Sequence, residues 1–342
     1  MRSIFAVLLM FLASLLHTSP AFAWNDKGHM VSALLAFRRL SESDRARIHE
    51  VLKQHPHYAD FLAKNRPEIF SEAEWAFMRA STWADWIRPP RNLVGDVASH
   101  PIHKFNRSTW HYINYPYRPG ATTLPSALPQ EENIENTLEF CVAYLKKEKS
   151  EDLLRVSGIT DEANTAVRLT WLFHLVGDLQ QPLHATALID EVKFPVPPYS
   201  DRGGNSLLIR PDDKATPINL HSYWDQSLGT DASPISIQLT ADELEADAEL
   251  QSVHLTELDA HPLIHDWASE SYFLAAKYAY QDGKLPLVTM DDTRLSTGSP
   301  LLPPVIPKES AMADKALARR RIALAGARLA NLLHDICEAR KP

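Results

Sequence analysis

Two histidine–aspartate pairs are the residues of this sequence best suited to carry chemistry. His174 and Asp178 are four residues apart in a segment predicted to be helical, and His221 and Asp225 repeat that spacing. Side chains four residues apart leave one face of a helix one turn apart, so each pair places an imidazole and a carboxylate around one point. Zinc takes both ligand types. For either pair alone, a hydrogen bond along the helix face would be the ordinary explanation.

Other polar residues could join these pairs. His184 follows the first pair by six residues, and a helix-breaking proline between them would let it serve a second metal ion. Asp85 and His111 lie in tryptophan-rich surroundings, where an unpaired charge is costly to bury. Metal ligation would remove that cost, and an ion pair with Arg88 is the structural alternative for Asp85. Gly203-Gly204-Asn205 could bring backbone close to a metal or phosphate, or form a plain turn.

The first 23 residues predict a secretory signal peptide. An apolar stretch is followed by Ala21-Phe22-Ala23, the small-x-small pattern that signal peptidase reads. A membrane anchor is the alternative, but the apolar stretch is shorter than the ~20 residues that a spanning helix needs. Cleavage after Ala23 would give a secreted or periplasmic protein without a membrane anchor, and Trp24 would become its N-terminus.

A freed Trp24 could itself be a metal ligand. Its α-amino nitrogen and carbonyl oxygen can close a five-membered chelate ring, and an amine with a pKa of ~7.7–8.0 readily exchanges its proton for zinc. His29 lies five residues further on and follows Gly28, whose flexibility would let the histidine return to the same ion. A frayed chain end with a stray histidine is the alternative.

Charge and cysteine content exclude some classes of function. The 342 residues carry a formal charge of −8, and loss of Arg2 with the signal peptide would make it −9. Nonspecific duplex binding relies on basic surface, so the acidic charge counts against a DNA-packaging role. It counts less against an enzyme that binds nucleic acid at several zinc ions, because those ions would be the largest local charges at the site. Cys141 and Cys337 are too few for a disulfide scaffold or a thiolate site, although they could pair after export.

Apolar residues at three- and four-residue spacing predict a mainly helical fold. The predicted helices cover residues 31–40, 71–86, 132–147, 161–179, 241–254, 265–280 and 311–338. Proline-rich connectors, which break helices and stiffen loops, lie at residues 88–101, 116–129, 192–198 and 285–307. No convincing series of strands, composition shift or internal repeat is visible. The economical interpretation is one all-α domain over residues 24–342 with long loops.

The order of these motifs resembles the zinc-dependent single-strand nucleases of the S1/P1 type. That family begins its mature chain with Trp and a His five residues later, and continues with A-D-x-x-R, H-[FY]-I-[DN], H-x-x-x-D-x-x-x-x-x-H and H-x-x-x-D motifs. The matching positions here are Trp24, His29, Ala84 to Arg88, His111 to Asn114, His174, Asp178, His184, His221 and Asp225. The match runs from residue 24 to the C-terminal helix.

The resemblance implies three zinc ions per chain and the mainly α-helical fold that these nucleases share with zinc phospholipase C. The first ion would be held by Asp85, His111, His174 and Asp178. The second would be held by the Trp24 amine and carbonyl, His29 and a shared Asp178. The third would be held by His184, His221 and Asp225.

The resemblance also implies an activity. The family cleaves phosphodiester bonds of single-stranded DNA and RNA to 5′-phosphorylated products, and a 3′-nucleotidase activity makes mononucleotides further substrates. Asp85 and Asp178 would take part in catalysis through their metals, and Arg88 would bind substrate and stabilise charge on the phosphorus. Tyr112 would stack on a base, with a core tyrosine as the alternative. Asn114 stands where several relatives have Asp, so only an amide could orient a ligand there. We expect a monomer.

Two other functions fit some of these features. Zinc phospholipase C has a nearly identical ligand scheme, but its last ligand is typically Glu where this chain has Asp225, and its last two histidine clusters lie closer together than His184 and His221. A non-enzymatic zinc-binding protein is the second alternative. Structural zinc sites are normally closed by four protein ligands, whereas an amine, a bridging carboxylate and open positions favour catalysis.

Overall fold

Helices dominate the residues that the computed structural model describes, which are 24–90, 92–125, 131–148, 155–294 and 300–341. The predicted signal peptide, residues 1–23, lies outside them. The helices are α1 (Asp26–Arg39), α2 (Glu42–Leu52), α3 (Glu72–Trp86), α4 (Ile134–Leu145), α5 (Asp161–Asp178), α6 (Leu220–Asp225), α7 (Pro234–Ala246), α8 (Glu257–Ala260), α9 (Ile264–Leu274) and α10 (Lys308–Ala339). Single 3-10 or π-helical turns include Ser108–His111, Pro182–His184 and Ala275–Ala279.

Side-chain caps fix where the helices that carry site residues begin. The Asn25 side chain accepts from the Gly28 backbone N–H at the start of α1, and Thr160 caps α5 in the same way. Ser71 and Glu74 form a reciprocal capping box at the start of α3. Each cap satisfies backbone donors that have no partner inside the helix, so the local sequence determines these three starting points.

Helix α1 lies at the centre of the packing. It contacts α10, α3, α5 and α7, and every residue from Lys27 to Phe37 is buried. It lies close to α10 at Gly326, where an added Cβ would be 2.7 Å from the Leu35 Cβ and 3.0 Å from the Ser32 carbonyl oxygen. Polar residues on α1 are therefore carried into the interior of the protein.

Short strands connect the helices. β1 (Tyr115–Tyr117) pairs in parallel with β2 (Thr186–Leu188), with Tyr115 opposite Thr186. β3 (Leu208–Ile209) pairs antiparallel with β4 (Ile218–Asn219). Neither pair forms an extended sheet among the described residues. The predicted mainly helical fold is confirmed.

The predicted helices differ from the structure in two places. The helix expected at residues 241–254 begins earlier, because Ser233 caps it and Pro234 occupies its first turn, and it ends at Ala246 because Asp247 is extended. Helix α2 was not predicted. Only Asp44, Ile48 and Leu52 of α2 are buried, which leaves too sparse an apolar pattern for the sequence to reveal.

Neither a bilayer-spanning helix nor a disulfide is found in the described part of the chain. No helix there is both long enough and apolar enough to cross a membrane. Cys141 on α4 and Cys337 on α10 are buried free thiols. Both belong to the main hydrophobic core.

The close contact between α1 and α10 yields a stability prediction. Gly326→Val should lower the free energy of unfolding by about 1–3 kcal/mol, because the added side chain must displace Leu35 or the α1 backbone. Thermal or denaturant unfolding would measure this. Ala316→Val is the control, since it places valine at an exposed position of the same helix. The control should cost no more than about 0.7 kcal/mol of helix propensity, and equal losses would contradict the packing argument.

Candidate metal centre

Helix α5 supplies the first two side chains of the centre. His174 and Asp178 are one turn apart on its last two turns, and His174 Nε2 lies 3.1 Å from Asp178 Oδ2. The helix ends at Asp178, and Pro182 begins a 3-10 turn that carries His184 away from that face. The proline therefore separates His184 from the α5 pair, as its position in the sequence indicates.

The α5 pair meets ligands from three other segments, and we call these five residues the paired cluster. The ligand atoms of Asp85, His111 and His174 lie within 4.8 Å of one another, and so do those of His29, His174 and Asp178. Asp85 comes from the end of α3, His111 from the 3-10 turn before β1, and His29 from α1. All five side chains are buried.

Asp178 lies between the two halves of the paired cluster. Its Oδ1 is 3.1 Å from His29 Nε2, and its Oδ2 is 3.0 Å from His111 Nδ1. The His29 and His174 rings stack with centroids 4.2 Å apart. One carboxylate thus offers one oxygen to each half, the arrangement that a bridging ligand requires.

His184, His221 and Asp225 form a separate group, which we call the third cluster. The Nε2 atoms of His184 and His221 are 3.1 Å apart, and His221 Nε2 is 3.7 Å from Asp225 Oδ1. The last two residues lie four apart on the short helix α6. All three side chains are buried and fall within one 4.8 Å group of possible ligands.

Backbone carbonyls orient three of the histidines. Nδ1 of His174 donates to the Ser81 carbonyl oxygen at 2.7 Å, and Nδ1 of His184 donates to the His111 carbonyl oxygen at 2.5 Å. Nδ1 of His221 donates to the Gly203 carbonyl oxygen at 2.6 Å. A histidine that donates through one nitrogen presents the other as an acceptor, which fixes Nε2 as the atom available to a metal.

Two residues that the sequence analysis did not single out, Asp201 and Tyr280, fix the turn that carries the Gly203 carbonyl. The Asp201 side chain accepts from the backbone N–H groups of Leu188, Gly203 and Gly204 and from the Tyr280 hydroxyl. Gly203 has a positive φ of 62°, and an added Cβ would lie 2.6 Å from the Leu183 carbonyl oxygen. The two glycines therefore form a turn that brings a carbonyl against His221. The signal in the sequence was an aspartate two residues before a glycine pair.

The donor atoms fit zinc. Both His29 nitrogens and Asp178 Oδ1 are buried without a hydrogen-bond partner among the described residues, since the 3.1 Å contact between them is not aligned as a hydrogen bond. Buried polar atoms of this kind need compensation. Zinc–nitrogen bonds of 2.0–2.1 Å at tetrahedral angles separate two ligand nitrogens by about 3.3 Å, close to the 3.1 Å between His184 and His221.

Burial also determines the charge states. Burial and Arg88 lower the pKa of His111 to about 3, and burial and His184 lower the pKa of His221 to about 3. Both imidazoles are then neutral near pH 7, the form that binds metals. Burial raises the pKa of the Asp225 carboxyl well above its ordinary value, and the Gln181 amide opposes this with a hydrogen bond to Asp225 Oδ1 at 2.8 Å. A bound cation would favour the ionised carboxylate.

Trp24 is packed rather than frayed. Its side chain is 0% exposed, and the Asn25 backbone N–H donates to the Asp225 carbonyl oxygen at 3.2 Å. The expected flexibility of Gly28 is wrong, because Gly28 lies within helix α1. Its actual role is steric, since an added Cβ would be 2.7 Å from the Trp24 Cβ. The start of the described chain is therefore held beside the third cluster.

A family model for S1/P1 nucleases matches residues 24–338. The chain belongs to the S1/P1 nuclease family. A protein of Arabidopsis thaliana named Endonuclease 4 is 28% identical over 183 residues, which cover 51% of this chain and 51% of that protein. The chain thus spans about half the length of the curated relative that it matches. The family indicated by the motifs is confirmed, and S1/P1 nucleases depend on zinc, in agreement with the donor atoms of both clusters.

A cleft of about 1140 Å³ opens onto both clusters of this S1/P1 nuclease family member. Its walls include Arg88, Tyr112 and Asn114 together with the ligand candidates His111 and His184. Arg88 Nη2 lies 2.8 Å from Asp85 Oδ1 and 2.9 Å from His111 Nδ1, so the ion pair considered from sequence is present and a second contact accompanies it. Tyr112 is half-buried on the cleft wall rather than enclosed in the core.

Gly177 provides a test of the paired cluster that changes no ligand. An added Cβ would lie 2.7 Å from His29 Nδ1, so Gly177→Ala should displace the ring and weaken metal retention about 10–100-fold. Competition with a chelator would measure this. The helix itself should tolerate the change, since alanine favours helix over glycine by about 1 kcal/mol.

Val176→Ala is the matched control on the same helix. It removes apolar packing and should destabilise the fold by about 2 kcal/mol while leaving the His29 ring its space. If Gly177→Ala retained metal as well as the control did, the steric role of this glycine would be wrong.

Proposed function

We propose that this chain is an exported zinc-dependent endonuclease that hydrolyses phosphodiester bonds of single-stranded DNA and RNA to 5′-phosphorylated products, with 3′-nucleotidase activity on mononucleotides. The observation that carries the proposal is the meeting of two buried histidine–aspartate clusters at one cleft whose wall also presents Arg88. Family membership supports the same chemistry. The signal peptide at residues 1–23 and a monomeric state belong to this proposal.

Three zinc ions per chain are proposed, held as the motifs suggest. Asp85, His111, His174 and Asp178 would hold the first, and His184, His221 and Asp225 the third. The second would be held by His29, Asp178 and the amine and carbonyl of a freed Trp24. The two contacts of Asp178, one with each half of the paired cluster, support its sharing between two ions.

The residues of the chain would prepare the site for an anionic substrate. Zinc, when bound, supplies a water of lowered pKa and withdraws charge from phosphate oxygens. The buried carboxylates of Asp85 and Asp178, whose pKa values are lowered, hold negative charge in the interior, and a bound cation would bring Asp225 to the same ionised state. Arg88, which lines the cleft, would donate to a phosphate oxygen and stabilise charge that develops on phosphorus.

Two features favour single-stranded nucleic acid as the substrate, namely the position of Tyr112 on the cleft wall and the negative net charge of the chain. A half-buried tyrosine on a cleft wall can stack on an unpaired base, which contributes roughly 1–3 kcal/mol per base. Asn114, on the same wall, can donate or accept a hydrogen bond beside it. A formal charge of −8 counts against nonspecific duplex binding, which depends on basic surface.

The direct test compares phosphate-ester substrates on protein that begins at Trp24 and has been loaded with zinc. Release of 5′-phosphorylated products from single-stranded DNA or RNA is the expected result. Release of phosphocholine from a phospholipid instead would identify the chain as a phospholipase C. If the loaded protein hydrolysed neither, the zinc-binding protein without enzymatic activity would be the correct description.

If the amine of Trp24 is a zinc ligand, one extra residue before Trp24 should lower both activity and zinc content. A glycine added before Trp24 converts the terminal amine into an amide, which cannot donate its lone pair to a metal. We expect hydrolysis to fall at least about 100-fold and one zinc ion per chain to be lost. Elemental analysis and a nuclease assay would measure both. The same glycine added after residue 342 should change neither, and full activity of the N-terminally extended protein would exclude the chelate.

Substitution of Arg88 distinguishes a catalytic role of this residue from a structural one. Arg88→Ala should lower turnover about 10²–10³-fold, the usual cost of removing a donor that stabilises transition-state charge, while bound zinc stays unchanged. Arg88→Lys should restore part of the turnover because it restores the charge without the planar fork. Loss of zinc in Arg88→Ala, in step with the loss of turnover, would show that the contacts with Asp85 and His111 are structural.

A further inference from the structure

Gln181 is hydrogen-bonded to candidate ligands of both metal clusters. It is 0% exposed and lies in the turn between Asp178, at the end of α5, and His184. Its backbone N–H donates to the Asp178 carbonyl oxygen at 2.9 Å, and its carbonyl oxygen accepts from the His184 backbone N–H at 3.0 Å. Its side chain contacts Asp225, which lies 44 residues further along the chain. One residue therefore connects the paired cluster to the third cluster.

Both ends of the Gln181 side-chain amide have a partner. Oε1 accepts from the Leu183 backbone N–H at 2.6 Å and so caps the 3-10 turn that carries His184. Nε2 donates to Asp225 Oδ1 at 2.8 Å. The reversed amide is excluded, because it would turn an NH₂ group toward the Leu183 N–H and an oxygen toward the carboxylate. The amide donor is therefore held in one direction, toward Asp225.

The Asp225 carboxylate needs such a donor. It is buried, and His221 Nε2, at 3.7 Å from Oδ1, is too distant to donate a hydrogen bond to it. A carboxylate that binds a metal has to present an oxygen in a set direction, and hydrogen bonds from neighbouring groups normally set that direction. The hydrogen bond from Gln181 has the length and the burial for this task.

The preceding residue, Gln180, has the same side chain and the same burial but contacts α10 instead of a ligand. Its Oε1 accepts from Arg328 at 2.8 Å, and its carbonyl oxygen accepts from Arg321 at 3.1 Å. Both arginines are buried on α10. The turn is thus anchored on one side by Gln180, which leaves Gln181 to hold Asp225 from a fixed base.

We propose that Gln181 is a positioning residue for the third cluster, which holds the Asp225 carboxylate and the His184 turn in the relative arrangement that a zinc ion requires. Loss of the contact with Asp225 should weaken the binding of one zinc ion and leave the paired cluster unchanged. This inference rests on the proposed binding of three zinc ions.

Gln181→Asn separates the two tasks of the amide. Asparagine is favoured at the capping position of a helical turn, but its side chain is one methylene shorter and falls short of Asp225. Zinc per chain would be measured at free zinc concentrations set by a chelator. One ion should dissociate at a free zinc concentration about 10–100-fold higher than in the wild type, the usual cost of losing a hydrogen-bond partner of a metal ligand. Retention equal to that of the wild type would overturn the proposal.

Gln180→Asn is the matched control, since it makes the same change at the adjacent, equally buried position. It should lower the thermal stability of the protein, because Arg328 loses its acceptor, and retain zinc as the wild type does. If both variants lost the ion at the same free zinc concentration, the effect would be one of folding, and the positioning role would be excluded.

His221→Ala identifies the ion and tests the proposed zinc arrangement separately. This variant should hold one zinc ion fewer than the wild type, and Gln181→Asn added to it should remove no further ion. A further loss in the double variant would show that Gln181 acts on the paired cluster and would contradict the proposal. If His221→Ala held as much zinc as the wild type, the third zinc site itself would fail, whereas a wild-type result for Gln181→Asn alone would leave that site intact.

Discussion

The burial of the Asp178 carboxylate among histidines is the constraint on which this structure depends. The side chain is 0% exposed, and its two oxygens face His29 on one side and His111 and His174 on the other. Burial acts to raise its pKa, but His174 and the hydrogen bond from His111 hold that pKa well below the ordinary range. A carboxylate kept ionised in the interior must be compensated there, so helices α1 and α5 and the segment before β1 have to converge on it.

Rigid elements and close backbone contacts maintain that convergence. Glycines at Gly28, Gly177 and Gly326 let α1 approach Trp24, α5 and α10 more closely than any side chain would permit. Backbone carbonyls then select the tautomer of His174, His184 and His221. The imidazoles are thus oriented before any ion arrives, and a preorganised ligand set spends little binding energy on ordering itself.

The cleft above the ligands combines two kinds of surface. Arg88 and histidines of both clusters give it polar lining, and the loop after β2 adds Lys193 and the apolar side chains from Phe194 to Pro198. Both parts are tied to one turn, because Asp201 ends that loop and also holds the Gly203 carbonyl against His221. The orientation of His221 and the end of this cleft-lining loop therefore depend on the same short piece of backbone.

Local sequence by itself determined the helices with strong caps and the ligands spaced along one element. Ser71 and Thr160 cap the starts of α3 and α5. The four-residue spacing places His174 and Asp178 on one face of α5, because the helical repeat is set by local hydrogen bonds. The family could also be identified from the sequence, because the order and spacing of its motifs can be read along the chain. Tertiary structure decided which distant ligands meet, such as His29 with Asp178, because packing of α1 against α5 sets that distance. It also decided the steric roles of the glycines, since each depends on what lies across a helix interface rather than along the chain.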